Sequence, residues 1–172
     1  VWGYNSENSA INQGNPYARL NAIEKGLKVI DIRPMQDGLA AKADIWVPVR
    51  PGTDGALALA MANVIIEEDL YNHDFVENWT EGFSEYAEYV KEFTPEKAEE
   101  ITWVPADKIR EAARMWAEAG AGTMWVSPHS TTHHTNGVQS TRAITLLPAL
   151  MGYWDYEGCR TVAPGVTGTD DS

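Results

Sequence analysis

Apolar and polar positions along the chain follow two periods. Leu27 to Ile32, LKVIDI, and Ile45 to Val49, IWVPV, are short apolar runs bounded by turn residues, the pattern of buried strands. The period then changes: Leu57, Ala60, Met61, Val64 and Ile65 recur at helical spacing. Between strand and helix, Pro51-Gly52-Thr53-Asp54 forms a turn whose last residues can cap the helix. A strand, a Gly-containing turn and a helix start leave backbone N–H groups aimed at one spot, backed by the positive end of the helix dipole. Taken alone, the stretch suits an ordinary capped helix first and a phosphate-holding turn second.

Upstream, Val1-Trp2-Gly3-Tyr4-Asn5 reads as the end of a strand breaking into a polar loop. Asn15-Pro16 starts a helix, Leu20 and Ile23 mark its buried side, and Gly26 ends it. Strand, helix and strand in about thirty-five residues have the size of one βαβ unit, which puts the strands at 1–4 and 27–32 side by side and parallel. Downstream, Phe83, Tyr86, Ala87 and Val90 keep helical spacing, and Thr94-Pro95 opens another helix. Pro105 opens the clearest one, striped by Ile109, Ala112, Ala113 and Trp116 and closed by Gly120. Thr123 to Val126 is a further strand, followed by a polar segment to Gly137. A helix carrying Leu146, Leu147 and Leu150 comes next, kinked or ended near Pro148.

This order predicts an α/β fold, Rossmann-like and three-layered, with a mostly parallel sheet. The expected division is a dinucleotide-binding-like α/β domain over 1–122, the start of a second α/β segment over 123–158, and a loose tail over 159–172.

Composition narrows the options. With 172 residues and 44% hydrophobic residues the chain can bury a core. A net charge of −12 argues against nucleic-acid partners and anionic membrane surfaces. Cys159 is the only cysteine, so this chain alone builds neither an internal disulfide nor a cysteine-ligated zinc or iron–sulfur centre. No apolar run reaches membrane-spanning length, and membrane insertion is not expected. Because the sequence opens inside an apolar, strand-like stretch, it is expected to be an internal piece of a longer chain. Its compartment, cytoplasm or periplasm, stays open.

Two places could carry chemistry. Asp31 ends the second strand, where an acid either holds a ribose hydroxyl or simply faces solvent. The GxGxxG signature is absent, which sets aside a standard nicotinamide site. Three of the four histidines lie between Ser127 and Gly137. His129 and His133 would share a helix face, as at zinc sites, but Ser130 stands where HExxH has its carboxylate. Ser-Pro before them and Asn-Gly after them predict a loop at the carboxyl end of a strand, which suits ligand binding better than zinc. The acid-rich block Glu67 to Glu100 reads as a solvated face rather than a metal site.

VWGYN, KVIDIRP, ADIWVPVRPGTDGALALAMANVIIEEDLY, HDFVENWTEGF, ITWVPADKIREAARMWA and HTNGVQSTRAI, in that order, resemble the middle of one family's catalytic subunits. That family is the molybdopterin oxidoreductases with a bis-(molybdopterin guanine dinucleotide) cofactor, which include formate dehydrogenases, nitrate reductases and dimethyl sulfoxide reductases, several of them enzymes of anaerobic respiration. The resemblance implies that three loops reach the guanosine diphosphate end of one cofactor: Gly3, Tyr4, Asn5, Ser6 and Glu7; Asp31, Ile32 and Arg33; and Gly52, Thr53 and Asp54. Ile32 stands where the family usually has proline. His129 and His133 fall at the spacing of a family Met and Gln near the pterin, and so join the candidate cofactor contacts. The family's molybdenum or tungsten ligand and its iron–sulfur cysteines lie upstream of the matched region. The chain is therefore expected to be catalytically silent by itself and to hold part of a cofactor cradle within a parent catalytic subunit. Its partners would be the rest of that subunit and electron-transfer subunits. Two alternatives are a structural relative like the large subunit of NADH dehydrogenase, and a non-redox hydratase.

Overall fold

The computed structural model describes residues 1–4, 16–155 and 157–159. In chain order these form α1 (Pro16–Glu24), β1 (Ile30–Ile32), a short 3-10 helix (Gly38–Lys42), β2 (Ile45–Val47) and α2 (Asp54–Glu67). Then follow α3 (His73–Trp79), α4 (Phe83–Val90), α5 (Pro95–Thr102), α6 (Ala106–Ala117), α7 (Pro128–Thr132) and α8 (Gly137–Met151).

The fold is mixed α/β, rich in helix, and its strand pairings are parallel. β1 pairs with β2 in register Ile30 with Ile45, Asp31 with Trp46 and Ile32 with Val47. Trp2 forms parallel bridges to Ile32 on one side and to Val126 on the other. Four chain segments therefore lie in the order Val126, Trp2, β1, β2, all running the same way. The expected neighbours at 1–4 and 27–32 are parallel, with α1 between them in sequence. The expected N-cap Asn15 lies outside the described residues. Leu20 and Ile23 are only half-buried, so α1 leans on the body rather than entering it. The strand expected over 123–126 reduces to the bridge at Val126, because Gly122 to Trp125 adopt no regular structure.

α2 is the centre of the molecule. Leu57, Ala58, Ala60, Met61, Ala62 and Ile65 are each at most 1% exposed, so α2 is covered on all sides rather than along one stripe. α4, α5, α6 and α8 surround it. Small residues permit the close approach: a Cβ on Gly55 would sit 3.1 Å from Ser140 Oγ on α8. On α6 the predicted stripe Ile109, Ala112, Ala113 and Trp116 is buried. α8 runs through Pro148 instead of stopping there, and ends at Gly152 in the left-handed conformation.

Candidate functional site

Because the four parallel segments share one direction, the residues following them lie at one edge of the sheet. Ser127 N donates to Trp2 O at 3.0 Å, Gly3 N to Ile32 O at 2.8 Å, and Arg33 N to Val47 O at 3.1 Å. These bonds carry the ladder just past the strand ends and set three loop starts side by side. The arrangement is the one in which parallel sheets present ligand sites.

Gly3 leads the first loop. Its φ is +62°, and a Cβ there would fall 2.1 Å from Ser130 Oγ. Backbone conformation and the neighbour on α7 both demand glycine at this point. Tyr4 packs at a tilt on Trp125, ring centroids 6.0 Å apart. Asn5, Ser6 and Glu7 lie outside the described residues.

Asp31 and Arg33 alternate onto one side of β1 and its extension, as residues two apart do. Arg33 Nε is 3.2 Å from Asp31 Oδ1, and the side chains are 6% and 0% exposed. The same guanidinium donates from its second terminal nitrogen to Asp37 O at 2.5 Å and approaches Asp37 Oδ1 at 3.3 Å. Trp46 Nε1 donates to Arg33 O at 2.9 Å. The solvent-facing alternative for Asp31 is thus overturned: its carboxylate is fully buried against a guanidinium. Ile32 is 4% exposed and belongs to the core, so only its backbone can take part in a site.

The third loop reaches α2. Gly52 has φ +84°. Thr53 turns its hydroxyl back to Arg50 O, 2.7 Å away, rather than capping the helix. Among the described residues the first-turn amides of Asp54 and Gly55 therefore donate to nothing. Asp54 is itself 7% exposed, and its Oδ1 accepts the indole N–H of Trp2 at 2.7 Å. Among the described residues, Oδ2 accepts no hydrogen bond.

The histidine segment corrects a sequence expectation. Ser127 to Gly137 holds one turn of helix, α7, where a loop was predicted. The turn closes because Ser127 O accepts from Ser130 Oγ at 3.1 Å, from Thr131 Oγ1 at 3.0 Å and from Thr131 N at 3.3 Å. His129 and His133 consequently do face each other, edge to face with centroids 5.0 Å apart. Both rings are exposed. No group of three or more metal-ligating side chains gathers among the described residues.

The structure thus joins Gly3, Ile32, Asp54 and the α7 turn through one residue that sequence reading passed over, Trp2. Nothing in the sequence pattern distinguished Trp2 from any buried strand residue. The one available cue was general: an indole N–H out of water needs an acceptor. This donor set fits a nucleotide diphosphate. It offers two uncommitted amides at a helix N-terminus for phosphate and a carboxylate oxygen for an N–H or O–H donor. It supplies no thiolate and no clustered ligands for a metal.

The family model described as Molybdopterin oxidoreductase matches residues 1–163. Acetylene hydratase of Syntrophotalea acetylenica is 45% identical over 132 residues, 76% of this chain and 18% of the relative. Formate dehydrogenase H of Escherichia coli (strain K12) is 40% identical over 153 residues, 88% of this chain and 21% of the relative. Among solved structures, the acetylene hydratase from Pelobacter acetylenicus superposes with a TM-score of 0.76 at 41% identity, covering 83% of this chain and 20% of that one. The chain spans about a fifth of the length of these relatives.

Proposed function

This chain belongs to the molybdopterin oxidoreductase family, and from that premise we propose that its sheet edge holds the guanosine diphosphate end of molybdopterin guanine dinucleotide. The observation that carries the reading is the meeting of Gly3, the buried Asp31–Arg33 pair and the uncapped start of α2 at one edge. The amides of Asp54 and Gly55 would take a phosphate, and Asp54 Oδ2 would accept from guanine. Arg33, already bound to two acids, would shape the second loop rather than reach a phosphate. His129 and His133 would border the same edge from α7. When bound, the cofactor supplies two-electron chemistry at molybdenum or tungsten, while the protein positions it. In the parent protein the reaction would be an oxidoreduction, completed by a metal ligand, iron–sulfur centre and electron-transfer subunits beyond this chain. By itself the chain would be catalytically silent.

Titration of the 172-residue chain with GDP and ADP by NMR tests this. GDP should bind at about millimolar affinity, since association costs several kcal/mol and the rest of the cradle is missing. ADP should bind more weakly, because adenine lacks the adjacent N–H donors a carboxylate can accept. Asp54→Ala should erase the preference. Equal shifts with both nucleotides, or shifts confined to α7, would refute the reading.

A second reading has one specific support: acetylene hydratase is matched both as a sequence, at 45% identity, and as a solved structure, at 41%. In that case the parent would add water rather than transfer electrons. Turnover of acetylene by the full-length protein, set against formate and nitrate, separates the two.

A further inference from the structure

Trp2 links the second loop, the start of the α7 segment and the start of α2. Its backbone bridges Ile32 and Val126, its carbonyl accepts from Ser127 N, and its side chain is 1% exposed. The indole N–H ends on Asp54 Oδ1 at 2.7 Å, across 52 residues of sequence. A short bond to an ionised acceptor, made where water is scarce, fixes a carboxylate far better than rotamer preference does. With Oδ1 held, the carboxylate plane is set, and among the described residues Oδ2 has no hydrogen-bond donor.

We infer that Trp2 is a positioning residue that determines base specificity: its indole N–H orients the Asp54 carboxylate so that Oδ2 accepts from the amino edge of guanine. This rests on the guanosine reading above and adds the device that makes the acid selective. Without the indole donor, the carboxylate turns about its Cβ–Cγ bond and the discrimination it offers is averaged away. Phosphate contacts, made by backbone amides, do not depend on that bond.

Trp2→Phe removes the donor while keeping an aromatic ring and the strand bridges. GDP, ADP and inorganic pyrophosphate are titrated into the 172-residue chain and the variant, each with its thermal midpoint recorded. The GDP-over-ADP ratio should fall about tenfold in the variant, the worth of one charge-assisted hydrogen bond, with pyrophosphate affinity unchanged. A purely structural Trp2 would weaken all three ligands together and leave the ratio intact, which overturns the inference alone. Equal GDP and ADP binding by the unmodified chain overturns the guanosine reading and this inference with it. Asp54→Asn gives a second test if Trp2→Phe does not fold. With Trp2 holding the amide oxygen, the NH2 group faces the ligand and the GDP preference should disappear. A retained preference counts against an indole-fixed orientation.

Discussion

Arg33 Nε lies 3.2 Å from Asp31 Oδ1, two residues away on the same strand, and both side chains are almost wholly removed from water. Breaking a buried pair strands a charge in low dielectric, whereas the intact pair roughly balances its own desolvation. Arg33→Ala should therefore cost about 3–5 kcal/mol in urea unfolding. Arg33→Lys should recover only part, since a point ammonium cannot span Asp31 and Asp37 as the planar fork does.

Gly3→Ala should destabilise by about 2–4 kcal/mol, combining the left-handed backbone penalty with overpacking against Ser130. Ser130→Ala in the same chain should return only a fraction. The added Cβ would still lie 2.8 Å from the Ser130 Cβ, and the φ of +62° persists. A double-mutant cycle by thermal unfolding measures that fraction.

The Tyr86 hydroxyl is buried and finds no hydrogen-bond partner among the described residues. Burial raises its phenol well above the ordinary value of 10.0. A folded-state pKa above the unfolded one means stability is complete below about pH 10 and is lost as pH rises beyond it. Tyr86→Phe should be neutral or stabilising by up to about 1 kcal/mol at pH 7. It should also remove that alkaline loss in melts from pH 8 to 11.

Asp44 joins the starts of the two strands: Lys28 Nζ donates to Oδ1 at 2.8 Å and Val29 N to Oδ2 at 2.9 Å. The Lys28 hydrogen bond is the chief cause holding its carboxyl below the ordinary value of 3.8. A depressed folded pKa contributes stability above the unfolded pKa and loses it as pH falls through the folded one. Asp44→Asn should cost about 0.5–1 kcal/mol near neutral pH, the range for a solvent-screened pair. The difference from the unmodified chain should narrow in melts at falling pH, as the native carboxyl takes up its own proton.

Local sequence determined much of this protein. Periodicity located α2 and α6, and the cap signal Thr94-Pro95 opens α5, where Thr94 accepts from Lys97 N at 3.3 Å. βαβ size gave the parallel pairing of Trp2 with Ile32. Six ordered stretches gave the family, because their spacing is a property of the chain itself. Tertiary structure decided what spacing cannot encode. Asp31 reads equally as a ribose contact or a solvated strand end until Arg33 is seen folded onto it. Thr53 reads as a cap until its hydroxyl is seen on Arg50 O. α7 winds because two hydroxyls and an amide share the Ser127 carbonyl, which outweighs the loop-forming residues on either side. Trp2 finds Asp54 only when β1, the first segment and the start of α2 are assembled. Hydrogen bonds across 52 residues depend on packed elements, and no local propensity records them.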